Sequence, residues 1–197
     1  LNAGNGSPFS MVQGIDATVN GVLFVGYHAR SGSLNAILNH TWSGSVQDVT
    51  LNGRGVGEIG LNAAVCGHFG VPVLMISGDQ TACGEARDLL GAIETAVVKQ
   101  AVGKMSAECL PLELSQRLIC EAAARAVGRL RAGETFAPFR TAEPVQIMVE
   151  FQLPEMAEAA SLLPGTRRLD GRRIEFTAPD APSAYRSFRA AVSLARR

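Results

Sequence analysis

This sequence has no long apolar run. No stretch approaches the roughly 18–20 residues that a helix needs to cross a bilayer, and this excludes a helical membrane span. Charge of one sign is missing too. Lys+Arg and Asp+Glu each total 18, so the net charge is zero. A neutral chain has no electrostatic reason to track nucleic acid or an anionic membrane surface. Cysteine is sparse: the four residues Cys66, Cys83, Cys109 and Cys120 form no Cys-x-x-Cys pair, which excludes a zinc knuckle or a thioredoxin-like motif. Reduced, buried thiols in a cytoplasmic protein are the expectation, rather than a disulfide framework. There is no Gly-x-Gly-x-x-Gly, Gly-Lys-Ser/Thr or Gly-x-Ser-x-Gly string, so nucleotide cradles and a serine-hydrolase elbow find no support. A start without Met, in a Gly/Asn/Ser-rich stretch, leads to the expectation that the front of the fold is missing.

What is present is core-forming material. Hydrophobic residues make up 47% of the 197 and charged residues 18%, which excludes a disordered chain. Residues 21–27 (Gly-Val-Leu-Phe-Val-Gly-Tyr) read as a strand buried on both faces, the habit of parallel sheets. A strand over 45–52 ends in the turn pair Asn52-Gly53. A helix follows from Gly57 to a stop at Gly70, then a strand over 71–76, a helix capped by Asp79, and a strand over 93–99. A long amphipathic helix occupies 112–131. Strands over 145–151 and 172–176 and helices over 155–162 and 180–195 complete the pattern. The fold class expected is α/β, with a mainly parallel central sheet flanked by helices. Residues 1–131 are expected to form the core, and 132–197 a smaller α+β lobe.

Three histidines carry most of the chemical information. His28 follows the first strand, and in parallel α/β sheets ligands gather beyond the carboxyl ends of strands. It is a candidate ligand or catalyst, or a loop histidine satisfied by a neighbouring carbonyl. His40 lies in a polar loop; paired with His28 it is a candidate acid/base or oxyanion-stabilising group. His68, inside a helix, reads as a structural residue. Glu58 opens its helix, where the helix dipole favours a carboxylate, and where it can also reach a metal. Ser77-Gly78-Asp79 resembles the start of a phosphate-cradling turn, but nothing that follows supports one.

Several strings carry a more specific resemblance. Pro8-Phe9-Ser10-Met11-Val12, Gly26-Tyr27-His28-Ala29-Arg30, His40-Thr41, Val56-Gly57-Glu58-Ile59-Gly60-Leu61-Asn62-Ala63, residues 72–79 and Val97-Val98-Lys99-Gln100 occur in that order, with matching segments at 163–166 and 173–176. Together they resemble the bacterial zinc D-aminopeptidases of the DppA type. The resemblance implies hydrolysis of short D-amino-acid-containing peptides, such as D-Ala-D-Ala, by metal-activated water. It implies two zincs per subunit, with His28 on one and Glu58 on the other, and His40 as the catalytic histidine. Asn62 and Lys99 are candidates for supporting the site or contacting the substrate carboxylate. The family's Asp-x-Glu-Gly and Asp-Ser-His motifs do not occur in this sequence. A homo-oligomer, in the form of a ring-shaped decamer, is the implied assembly. The competing expectation is a catalytically incomplete scaffold or a dipeptide-binding protein of the same fold.

Overall fold

The computed structural model describes residues 7–196. The loop expected over 1–10 lies outside the described residues for positions 1–6. In chain order the strands are β1 (Val22–Phe24), β2 (Val46–Leu51), β3 (Arg54–Gly55), β4 (Val73–Asp79), β5 (Glu94–Gly103), β6 (Ser106–Cys109), β7 (Val145–Phe151), β8 (Arg167–Arg168) and β9 (Arg173–Ala178). The helices are α1 (Glu58–His68), α2 (Gln80–Leu90), α3 (Leu112–Arg131), α4 (Pro154–Ala160) and α5 (Ala181–Leu194).

Two sheets form. The first has the order β1-β4-β5-β6, with β1, β4 and β5 parallel and β6 antiparallel. Its centre is β4, every residue of which is buried. The run Val73-Leu74-Met75-Ile76 has no polar alternation because α2 and α3 pack against this strand. The second sheet is antiparallel, with the order β3-β2-β7-β9-β8. β7 alternates Val145, Ile147, Val149 and Phe151 inward with more exposed residues between them, the period-two pattern of a half-solvated sheet. Helix α5 packs on β7, β9, α1 and α4, and its Tyr185 and Phe188 are among the largest fully buried side chains.

The mixed α/β class with a parallel-rich, helix-flanked sheet is as expected. The helix over 112–131 and the strand over 145–151 have the expected ends. Asp79 caps α2 by accepting the Ala82 N–H at 2.7 Å, and Asp180 caps α5 by accepting the Ser183 N–H at 2.7 Å. The expectations for β1 and for two of the thiols are corrected. β1 has only three residues and sits at a sheet edge among the described residues, so Leu23 and Val25 are exposed rather than buried on both faces. Cys66 and Cys83 are buried free thiols, whereas Cys109 and Cys120 are exposed. β7 pairs along β2 in the register Val49–Val149, so residues beyond 131 share one sheet with residues 46–51.

Candidate metal centre

Three short segments converge beyond the carboxyl ends of β1 and β4. The first is the exit of β1. Gly26 N–H donates to Ser77 Oγ at 3.0 Å and Tyr27 N–H to the Ser77 carbonyl at 2.9 Å. Both bonds hold the chain immediately before His28 against the end of β4. Two residues later, Arg30 N–H donates to Glu85 Oε2 of α2 at 2.8 Å. His28 is thus gripped on both sides by the β4–α2 unit.

The second segment is the loop over 31–42. Asp79 Oδ2 accepts Ile37 N–H at 2.7 Å while its other oxygen caps α2. Asn39 donates its side-chain amide to the Ser33 and Ala36 carbonyls. Leu38 and Trp42, on either side of His40, take positive φ angles of 53° and 66°. Bulky residues in that region cost about 1–3 kcal/mol each, and such strain concentrates at functional sites. The loop is held in a conformation that its residues disfavour, and it delivers His40 to His28.

The third segment leads from the β2–β3 hairpin into α1. Asn52-Gly53 makes the expected turn, and Glu58 is the first residue of the helix. Gly57 precedes it, packed so closely on Arg30 that a Cβ at Gly57 would lie 2.6 Å from the Arg30 Cβ. Only a residue without a side chain lets the His28 and Glu58 segments meet this closely.

The result is a compact cluster. His28 Nε2 lies 3.3 Å and His40 Nε2 3.5 Å from Glu58 Oε1. The two imidazoles stack with centroids 3.9 Å apart and an interplanar angle of 19°. Glu58 is nearly buried, and its Oε1 also accepts the Trp42 N–H at 2.8 Å. Burial alone would raise the Glu58 pKa; the hydrogen bond and charge of His28, the Trp42 N–H and the His40 charge outweigh it and hold the carboxyl below its ordinary value. Burial alone would lower the His28 pKa, but Glu58 and the Ala29 carbonyl prevail and raise it. Glu85 runs the other way: burial pushes its carboxyl up against the opposing pull of Arg30 and His28.

These donors suit a metal ion. Zinc–ligand bonds of about 2.0–2.2 Å put neighbouring tetrahedral ligand atoms roughly 3.3–3.6 Å apart, which matches the 3.3 and 3.5 Å separations found here. One ligand atom from each of the three residues lies within 4.8 Å of the others. The second nitrogens are already committed. His28 Nδ1 lies 3.1 Å from the Ala29 carbonyl and His40 Nδ1 2.7 Å from the Leu38 carbonyl. A carbonyl accepts from an Nδ1–H, and that tautomer leaves each Nε2 lone pair directed at the cluster. His28 thus meets a neighbouring carbonyl at Nδ1 while its Nε2 faces Glu58.

Asn62 and Lys99 are not among the three grouped donors. Asn62 is fully buried; it donates to Tyr27 Oη at 2.9 Å and accepts from Tyr185 Oη at 3.0 Å. Lys99 is half-buried on β5, between Asp79 of β4 and Cys109 of β6. His68 faces Glu143 at 3.4 Å, away from the cluster. Trp42, Asp79 and Glu85 contribute in ways that sequence reasoning missed, apart from the helix cap. The signal within reach was the lone tryptophan two residues after His40.

Comparison with known proteins identifies the family. A family model described as D-aminopeptidase, Peptidase M55, matches residues 1–190. The D-aminopeptidase of Bacillus subtilis (strain 168) is 38% identical over 198 residues, an alignment that covers 100% of this chain and 71% of the relative. A solved structure described as the Zn-dependent D-aminopeptidase DppA from Bacillus subtilis, a self-compartmentalizing protease, is similar with a TM-score of 0.94 at 37% identity, covering 100% of this chain and 70% of that one. By sequence and by fold, this chain belongs to the Peptidase M55 family, the D-aminopeptidases.

Proposed function

We propose that this protein is a zinc-dependent aminopeptidase that hydrolyses short peptides containing D-amino acids, D-Ala-D-Ala among them. The observation that carries the reading is the approach of His28 Nε2 and His40 Nε2 to one oxygen of a nearly buried Glu58, with both Nδ1 atoms engaged by main-chain carbonyls. His28 and Glu58 are the metal ligands in this reading, and His40 is the catalytic histidine. Bound zinc supplies Lewis acidity and a water whose pKa is lowered to about 7.

The chain's own groups do the rest. Glu58 keeps a negative charge in place, and the Trp42 N–H fixes its orientation. His28 is held by Ala29 and by the end of β4. His40 has the more open ring, with its side chain 40% exposed against 20% for His28. A half-open imidazole can donate a proton to a leaving amine or steady the developing oxyanion. Asn62 supports the centre at one remove by holding Tyr27, the residue before His28. His28 and Glu58 are the ligands this chain offers, with His40 beside them as the catalytic group; two zincs per subunit remain part of the proposal. A cytoplasmic homo-oligomer, such as a ring-shaped decamer, is the assembly that goes with it.

The test is a zinc titration by calorimetry alongside hydrolysis of a D-dipeptide. His28→Ala and Glu58→Gln should each weaken zinc binding by more than the roughly 10–100-fold typical of residues that only support a ligand. His40→Ala should lower kcat by about 10²–10⁴. Wild-type zinc affinity in both ligand variants would sink the proposal. A chain that takes up no zinc and hydrolyses nothing would instead be a scaffold or a dipeptide-binding protein of this fold.

A further inference from the structure

A cavity of about 420 Å³ is lined by Glu58 itself, by Met11 and Trp42, and by residues at and just beyond the end of α5. The volume falls within the roughly 300–1,000 Å³ of small-ligand pockets. Its two apolar walls differ. The Trp42 ring is clamped: Tyr185 and Phe188 meet it edge-to-face with centroids 5.8 Å away, and the Arg189 guanidinium lies over it at 5.4 Å. Met11 is 51% exposed, and an unbranched thioether chain follows the shape of what it touches.

Met11 is placed at this cavity from two directions. It is the middle residue of a single 3₁₀ turn, Ser10–Val12, and Val12 is buried in the core. The turn is entered through a positive φ of 47° at Ser10, and the Phe9 N–H donates to the Gln13 side chain across it at 3.0 Å. From the other direction, Asn62 donates to Met11 Sδ at 3.8 Å, thioether sulfur being a weak acceptor. Asn62 lies at i+4 from Glu58 on α1, and so on the same helix face. Met11 is therefore held about one helical turn along from the carboxylate. It also lines a second cavity, of about 550 Å³, with Val12, Ile15, Phe24 and Tyr27. Its side chain thus partitions the space beside Glu58 from an apolar groove.

We infer that Met11 is a specificity-determining residue: it forms the adjustable wall of the pocket for the side chain of the substrate's N-terminal residue. The inference rests on the aminopeptidase reading above and adds which substrate feature the site reads. In such a substrate one carbon joins the free amine to the scissile carbonyl, and the side chain leaves from that carbon. With amine and carbonyl at the His28–His40–Glu58 cluster, the side chain begins beside Glu58 and enters the cavity that Glu58 lines. There it lies between a fixed indole and a half-exposed thioether. Met11 is not among the three grouped donors, so its size can be changed without removing a ligand.

The test compares D-Leu-D-Ala with D-Ala-D-Ala, which differ only in the N-terminal side chain, on the zinc-loaded protein. Met11→Ala leaves a gap that an isobutyl group fills and a methyl group does not. The ratio of kcat/KM for D-Leu-D-Ala over D-Ala-D-Ala should therefore rise at least about 10-fold, the low end of what a single methylene is worth in an apolar pocket, mostly through KM. Met11→Leu conserves volume and should keep the wild-type ratio. D-Ala-D-Leu against D-Ala-D-Ala, which varies the second residue, should show no such change. An unchanged ratio in Met11→Ala, or a shift of the same size at the second residue, overturns the inference. So does a loss of zinc affinity in that variant, which would make Met11 a support of the cluster. If the wild-type protein hydrolyses neither dipeptide, the function proposed above fails, and fluorescence of Trp42, the single tryptophan, decides the pocket independently. Met11→Ala should then bind D-leucine amide over D-alanine amide more strongly than the wild type does. Equal preferences in the two proteins, or no response to either amide, overturns it.

Discussion

At the level of single side chains, Glu58 and His28 shift each other's ionisation in opposite directions. His28 is raised above its ordinary 6.5 in the folded protein. Its contribution to stability is therefore fully present below about 6.5 and is lost as pH rises through the raised value. Glu58 is lowered below its ordinary 4.5. Its contribution is present above that value and is lost as pH falls through the lowered one. The metal-free protein should thus be most stable between the two ordinary values, roughly pH 4.5–6.5, and weaken on both sides. Urea midpoints measured across pH in the presence of a chelator check this. Glu58→Gln should flatten both limbs, and a variant profile parallel to the wild type would count against the pairing. The sequence could nominate His28 by its place at a strand end and Glu58 by its place at a helix start. It could not show that His40, 12 residues away in a polar loop, meets the same oxygen. That closure depends on the Ile37 N–H bond to Asp79 and on strained backbone at Leu38 and Trp42, neither of which leaves a periodic trace.

At the level of elements, the end of β4 organises the site. Ser77-Gly78-Asp79 looked like a weak phosphate turn in the sequence. In the fold it seats the His28 segment and ties down the His40 loop. Gly78 is required for this: a Cβ there would lie 2.5 Å from the Tyr27 carbonyl oxygen and 3.1 Å from the Ala82 Cβ. Gly78→Ala must push Tyr27, and with it His28. It should destabilise the protein by about 1–3 kcal/mol, the usual cost of overpacking, and weaken zinc binding. Gly84, within α2, has open space where its Cβ would be. Gly84→Ala should stabilise by roughly 0.4–1 kcal/mol and leave zinc affinity alone. Equal zinc affinities in the two variants would mean that the β4 end does not position His28. Elements with strong periodicity, such as α3 and β7, were legible to the residue. β6 was not: Ser106-Ala107-Glu108-Cys109 is largely exposed and lacks the apolar alternation that marks a strand. β1 was overread because a continuous apolar run does not reveal whether a neighbour lies on its far side.

At the level of the whole molecule, the antiparallel sheet and the His28–His40–Glu58 cluster are mechanically joined. Helix α5 lies on β7 and β9, and its Tyr185 and Phe188 both meet Trp42 edge-to-face at 5.8 Å. Trp42 in turn orients Glu58 through its N–H. The second sheet therefore braces one wall of the site, although its own residues supply no ligand to the cluster. The sequence showed amphipathic strands and a closing helix there, which made a separate lobe the natural reading. The pairing of β7 with β2 is a contact between segments about 100 residues apart, and local patterning carries no information about it. The coupling can be separated from simple stability. Phe188→Ala removes a fully buried ring and should cost about 3–5 kcal/mol. It should also free Trp42, and so weaken zinc binding measurably at a temperature where the variant is still folded. Ile174→Ala, on β9 in the same core, should cost about 2–5 kcal/mol. It removes no contact with the Trp42 ring among those described, so zinc affinity should hold. If both variants lose zinc affinity in proportion to their lost stability, Phe188 acts through general folding and the brace is absent. If only Phe188→Ala loses it, the aromatic stack carries the rigidity of the sheet to Glu58.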